Sequence, residues 1–293
     1  MNVLLTGATG FIGTSVLPRL LDEGHTVTAL VRDQDKANAV QAAGATPLVG
    51  DAGDAAFVQH AAQEADGVIH LASSREVDAV LVPAVLAALA GSDKPFVHTG
   101  GIWTYGSNDD ITEDAPADPP AITAWRTSGE GAVLGAADVR GMVVVPSIVY
   151  GHGKGLPNLI VDAPRADGAM PALRLIGDGT QHWATVHVDD LAALYVLALE
   201  HGSAGERYIG AGGQNPTVRE LGEVAAQAAD VAGGVLPEPV EETRSRLGAL
   251  LADALLLDQQ ARGIKPRIDL GWEPNGPALL EELLVGSYAP ARV

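Results

Sequence analysis

Cysteine is absent from the 293 residues, which excludes disulfides, a thiol nucleophile and any thiolate-ligated metal. Basic residues are scarce: 18 Lys and Arg stand against 37 Asp and Glu, for a net charge of −19. With no basic run, the chain lacks what phosphate neutralisation demands, so nucleic acid is not an expected partner. The acidity reads as a solubility feature. Long apolar runs are missing too. The stretch Leu81 to Ala90 is too short to span a bilayer, and no membrane partner is expected. The start of the chain reads as a strand and not as a signal peptide, which predicts a cytoplasmic protein. Aromatics make up 4% of the residues. What remains, 47% hydrophobic and 19% charged, is ordinary globular composition, long enough for one large α/β domain with a smaller lobe.

The chain is organised around Leu4-Leu5-Thr6-Gly7-Ala8-Thr9-Gly10-Phe11-Ile12-Gly13. An apolar run from Val3 meets three glycines spaced G-x-x-G-x-x-G, and a helical apolar pattern follows through Val16, Leu17, Leu20 and Leu21. Strand, tight turn and helix in that order form a dinucleotide site. The glycines let a pyrophosphate approach the backbone, and the helix N-terminus presents unpaired N–H groups to it. Gly7, Thr9, Gly10, Phe11, Ile12 and Gly13 are therefore expected to bind the cofactor.

Further along, Thr26 to Val31 reads as a second buried strand with Arg32 at its tip. A guanidinium there suits the 2′-phosphate of NADP, so NADP is expected over NAD, although Asp33 and Asp35 lie close by. A helix over Lys36 to Ala43 and a strand over Thr46 to Val49 lead to Asp51, which could accept from the adenine amine. Asp54 is placed to cap a helix over Ala55 to Gln63. The strand Gly67 to Leu71 ends in Ala72-Ser73-Ser74, and Leu71, Ala72 and Ser73 are expected beside the nicotinamide half. Then follow a helix, Val77 to Ala90, a strand, Phe96 to Thr99, an Asp- and Pro-rich loop, a helix, Ala124 to Ala137, and a strand, Met142 to Val145. This alternation predicts a doubly wound parallel Rossmann sheet over residues 1–150. Beyond it, residues 151–293 read mainly as a smaller mixed α/β C-terminal lobe for substrate. Its elements are a short strand, Leu173 to Ile176, and helices over Val188 to Glu200, Val218 to Ala229, Glu241 to Leu257 and Gly276 to Val285.

These motifs resemble the extended short-chain dehydrogenase/reductase superfamily, which includes NAD(P)-dependent epimerases and dehydratases. The likeness rests on Thr6 to Gly13, Gly50-Asp51, Tyr105-Gly106, Pro146 to Gly151, Val186 to Ala192 and Leu270 to Pro274, and covers nearly the whole chain. It implies a catalytic tyrosine, a lysine four residues later and a serine after the fifth strand. Counted back from Glu130, the tyrosine position holds Ile122 and the lysine position Arg126. Counted from Tyr105-Gly106, the serine position holds Gly101. All three depart from the pattern, as in atypical members of the superfamily.

Catalysis is then expected from other residues. Tyr105, in the loop above the nicotinamide, is the leading proton donor, with Thr99 at the strand end. Arg126 could hold the ribose and cofactor phosphate but not shuttle protons. Tyr150 and His152 are further candidates, and Trp125 could wall the pocket. His70 and His98 read as satisfied core histidines. The expected activity is reduction of a small or medium carbonyl, enone or imine-like substrate. A dinucleotide-binding sensor without catalysis is an alternative. So is a nucleotide-sugar epimerase, for which Arg165, Arg174 and Arg207 could meet a diphosphate. The spacing of His182, His187 and Asp189-Asp190 reads as a helix entry capped by Asp189, so no metal site is expected. No G-x-S-x-G elbow exists for a hydrolase. The resemblance also implies dimerisation through paired helices, here the Ala-rich Val77 to Ala90 and Ala124 to Ala137, so a homodimer is an expectation.

Overall fold

The computed structural model describes residues 1–166 and 170–290. Val3, Leu4 and Leu5 in β1 (Asn2–Thr6) are fully or almost fully buried, as a strand covered on both faces requires. The first half alternates strand and helix: α1 (Gly13–Asp22), β2 (Thr26–Val31), α2 (Gln34–Ala42), β3 (Thr46–Val49), α3 (Ala55–Glu64), β4 (Gly67–His70), α4 (Arg75–Leu89) and β5 (Pro95–Thr99). A 3-10 turn over Ile102–Tyr105 leads through β6 (Asn108–Ile111) to α5 (Arg126–Leu134) and β7 (Arg140–Pro146).

The second half is more broken. It runs through β8 (Ile148–Gly151), β9 (Lys154–Gly155), α6 (Asn158–Val161), β10 (Arg165–Ala166), β11 (Ala172–Arg174) and β12 (Thr185–His187). Then α7 (Val188–His201) and β13 (Arg207–Gly210) return to the main sheet before α8 (Val218–Ala228). The rest comprises β14 (Val235–Leu236), α9 (Val240–Leu247), α10 (Ala249–Leu255), β15 (Gln259–Ala261), α11 (Ile264–Leu270) and α12 (Leu279–Leu284).

Seven parallel strands form the central sheet in the order β13-β7-β5-β4-β1-β2-β3. This is the Rossmann-type sheet that the glycine turn predicts. The order reverses between β1 and β4, and in such sheets ligands settle outside the strand ends at that point. One face is covered by α1 and α7, whose Val16, Leu20, Leu191 and Tyr195 share a core. The other carries α3, α4 and α5, with Val58, Leu81, Val85 and Val133 in a second core. A third core, built on Trp183, Leu221 and Leu255, belongs to the C-terminal lobe.

Some elements differ from the sequence reading. The expected helix from Ala124 begins at Arg126, because residues 121–125 form turns. The expected Glu241 to Leu257 helix is two helices, broken where Gly248 takes φ 81°. Asp54 does cap α3, accepting from Ala56 and Phe57 N–H. Asp189 does not cap α7: the His187 ring accepts the Asp189 N–H at 3.3 Å. The Asp189 carboxylate instead takes Ser15 Oγ at 2.7 Å and His152 Nε2 at 3.1 Å, tying α7 to α1.

Candidate active site

The turn after β1 is built around close approaches. Gly7 takes φ 75°, and a Cβ there would sit 2.9 Å from the Ala72 nitrogen. A Cβ on Gly13 would fall 2.0 Å from the Gly7 oxygen. Only glycine lets α1 start directly under the turn. No side chain caps α1, and the Phe11 and Ile12 amides make no hydrogen bond among the described residues. These unpaired donors at a helix N-terminus fit a dinucleotide's diphosphate.

Facing the turn is a cavity of about 400 Å³. Gly7, Gly10, Phe11, Ile12, Gly13 and Leu71 form one side; Gly101, Trp103, Arg126, Ser147 and Leu156 form the other. Arg126 is the single charged side chain lining it among the described residues. Its Nη1 donates to Ser73 Oγ at 2.8 Å and to the Thr99 carbonyl at 3.2 Å, and its guanidinium carbon lies 4.6 Å from the centre of the Trp125 ring. Burial pulls its pKa down, opposed by Asp78 and Glu130; a guanidinium so placed stays charged. Gly101, at the serine position, leaves open space: the nearest atom to a Cβ there would be Arg126 Nε at 3.9 Å.

Behind Arg126 runs a buried chain. Ser73 Oγ donates to Asp78 Oδ2 at 2.8 Å, and His70 Nε2 lies 3.1 Å from Asp78 Oδ1. The other His70 nitrogen bonds Thr6 Oγ1 at 2.6 Å. Despite burial, the His70 and Ser73 hydrogen bonds and the nearby imidazoles hold the Asp78 carboxyl below its usual range.

The other predicted residues divide. Thr9, Arg32 and Asp51 are exposed. Arg32 stands at the end of β2, and Asp51 accepts the Gly53 N–H at 2.8 Å. Ala72 and Ser73 are half-buried beside Gly7. Tyr105 is corrected. The 3-10 turn directs it into the core, its hydroxyl has no partner among the described residues, it does not line the cavity, and burial pushes its pKa up to about 12. Thr99 is corrected as well: its hydroxyl donates to the His70 carbonyl and bonds the Tyr195 hydroxyl, away from the cavity. Tyr150 donates to the Pro277 carbonyl, and His152 pairs with Asp189. Trp125 stacks on Arg126 and lines a groove between α4 and α5 instead. Arg207 Nε lies 3.7 Å from Glu130, and Arg174 lies 3.4 Å from Glu242 and 3.9 Å from Glu238.

Sequence reasoning assigned no role to Ser147. It is buried on the cavity wall with an unpartnered hydroxyl, directly after the β7 residue Pro146. Its place just beyond a strand end was the available signal.

The NAD dependent epimerase/dehydratase family matches residues 3–210. The chain belongs to that family. It is thereby a member of the extended short-chain dehydrogenase/reductase superfamily, as the motifs imply. An uncharacterized protein of Saccharomyces cerevisiae is 32% identical, over 97% of this chain and 98% of its own length. A 2-alkyl-3-oxoalkanoate reductase of Stenotrophomonas maltophilia is 27% identical, over 75% of this chain and 73% of its own. The crystal structure of a dTDP-glucose 4,6-dehydratase of Bacillus anthracis with NAD superposes at a TM-score of 0.78 and 19% identity, covering 99% of this chain and 97% of that one. Among the described residues, no helix of this family member is long and apolar enough to cross a membrane.

Proposed function

We propose that this family member is an NADP-preferring reductase of a small or medium carbonyl, enone or imine-like substrate. One observation carries the reading: among the described residues, Arg126 is a single fixed cation in an otherwise uncharged cavity beside the glycine turn. The Phe11 and Ile12 amides and the Gly7–Gly13 cradle would hold the diphosphate, and exposed Arg32 a 2′-phosphate. Bound there, the reduced dinucleotide supplies the hydride. Arg126 holds the substrate oxygen and stabilises the negative charge that develops on it. Ser73, backed by Asp78, fixes the guanidinium before substrate arrives. Phe11, Ile12, Leu71, Trp103 and Leu156 exclude bulk water and strengthen that interaction. Because a guanidinium keeps its protons, the final proton comes from water. The elements after residue 150 supply the outer wall, through Gly155 and Leu156.

The named activity of the S. maltophilia relative is compatible with this reading. Nucleotide-sugar epimerisation fits the site less well. Its reversible proton transfer needs a titratable group where Ile122, Arg126 and Gly101 stand, and Arg174 and Arg207 are already engaged with carboxylates. The test is NADPH oxidation against a panel of aldehydes, ketones and enones. Substrate-dependent oxidation supports the reductase. Binding without turnover of any panel member points to a sensor, and NAD that copurifies with no need for added cofactor points to an epimerase.

A further inference from the structure

His70, Asp78 and His98 form a buried cluster whose composition the proposed reaction does not explain. β4 and β5 pair in parallel with His70 opposite His98, so their rings stand on the same sheet face, stacked with centroids 5.5 Å apart. Asp78, in the first turn of α4, reaches between them. Its Oδ1 lies 3.1 Å from His70 Nε2 and its Oδ2 3.5 Å from His98 Nε2. One ligand atom from each residue lies within 4.8 Å of the other two. His70 and His98 are 0% exposed and Asp78 5%.

Hydrogen bonding accounts for His70 but not for His98. His70 bonds Thr6 and Asp78, whereas neither nitrogen of His98 has a hydrogen-bond partner among the described residues. A fully buried imidazole left in that state is costly unless something else engages it.

We propose that His70 Nε2, His98 Nε2 and the Asp78 carboxylate bind a divalent transition ion of the zinc type. Ligand bonds of about 2.0–2.1 Å in tetrahedral geometry set neighbouring ligand atoms roughly 3.3 Å apart. Each imidazole nitrogen stands near that distance from one oxygen of the carboxylate, His70 Nε2 at 3.1 Å from Oδ1 and His98 Nε2 at 3.5 Å from Oδ2. Two imidazoles and one carboxylate are a donor set suited to zinc rather than to magnesium or calcium, which prefer oxygen alone. Outer contacts are in place: Thr6 Oγ1 fixes the far nitrogen of His70, and Ser73 Oγ donates to Asp78. Arg126, one hydroxyl away, opposes an added positive charge, so affinity must come from the imidazole bonds.

Of the three ligands, Asp78 also lines the groove between α4 and α5, with Trp125, Ser128 and Gly129. A Cβ built on Gly129 would stand 3.9 Å from His98 Nε2 and 4.0 Å from Asp78 Oδ2, the nearest atoms to it. As glycine, that helix position brings no side chain against the cluster. Site occupancy does not depend on the reductase reading.

The test is calorimetric titration of the untagged, chelator-treated full chain with zinc sulfate, together with the visible spectrum after adding cobalt(II). We expect one high-affinity ion per chain and the intense bands of a four- or five-coordinate site. His98→Gln should weaken binding by more than about 100-fold, since even an outer-shell partner is worth 10- to 100-fold. The surface pairs His152–Asp189 and His182–Asp258 remain in that variant and serve as an internal control. Affinity unchanged in His98→Gln, absence of saturable uptake, or a pale octahedral cobalt spectrum overturns the proposal. The spectrum is read on the unaltered protein, so it decides the matter even where the variant fails to fold.

Discussion

Replacing Arg126 by Met keeps much of the aliphatic stem but removes the only charge lining the cavity among the described residues. A single preorganised donor at a developing oxyanion is worth about 100- to 1,000-fold in kcat, equivalent to about 2.7–4 kcal/mol of barrier. Arg126 is preorganised in that sense. It is held by Ser73 at 2.8 Å, by the Thr99 carbonyl at 3.2 Å and by the Trp125 face, so little reorganisation is left to the reaction. Stability should fall much less than activity. The lost hydrogen bonds are offset by no longer burying a cation, and Ser73 and Asp78 keep each other as partners. Arg126→Lys keeps the charge but loses the planar guanidinium whose Nη1 is fixed by Ser73 and Thr99 while its other N–H groups stay free among the described residues, so a loss of roughly tenfold is expected. The assay is single-turnover oxidation of NADPH with a substrate from the carbonyl screen, beside calorimetric cofactor affinity for each variant. A large fall in rate with cofactor affinity within a few-fold supports the role given to Arg126. Arg126→Met turning over within about threefold of the unaltered protein refutes it.

Three further outcomes bear on separate parts of the molecule. Arg32→Glu should weaken NADPH by at least about tenfold while leaving NADH nearly unchanged, because only NADPH carries the 2′-phosphate; an equal loss for both sinks that assignment. Tyr105→Phe should leave turnover unaltered, since the hydroxyl is buried outside the cavity, and a tenfold loss would return the phenol to the chemistry. Glu130 is buried with one carboxylate oxygen unpartnered, and burial raises its pKa above the unfolded value. The folded state therefore holds its proton to higher pH, and stability is full below the unfolded pKa and lost as pH rises through the folded one. Glu130→Gln should accordingly raise Tm relative to the unaltered protein by a margin that grows as pH rises above the ordinary glutamate range. A margin independent of pH would show that the carboxylate is not the cause.

The strand, glycine turn and first helix were legible because the information is local. An apolar run, three glycines at fixed spacing and a helical apolar stripe fall within about twenty residues. The later strands were legible for the same reason, through β-branched runs such as Val143-Val144-Val145. Direction was harder to read. Tyr105 sits beside a motif that suggests the cofactor, yet a 3-10 turn of four residues aims it inward, and no periodicity reports that. Thr99 shares the difficulty, its hydroxyl being claimed by the His70 carbonyl and by Tyr195 of α7, 96 residues away. The Arg126–Ser73–Asp78–His70 chain joins α5, the end of β4 and α4, so no spacing announces it. His187 took the cap predicted for Asp189 because Ser15, on a distant helix, offered that carboxylate a better partner. The departures of Ile122, Arg126 and Gly101 from the superfamily pattern, by contrast, are counted from the motifs alone and need no knowledge of packing.

The chemistry proposed for Arg126 depends on the cleft beneath Gly7, Gly10 and Gly13 holding a nicotinamide dinucleotide. Calorimetric titration of the purified protein with NADPH and, separately, NADH decides whether it does. Saturable micromolar binding, tighter for NADPH, is the expected result. Failure of both to bind at millimolar concentration, by protein from which no dinucleotide has copurified, would rule the cleft out as a cofactor site.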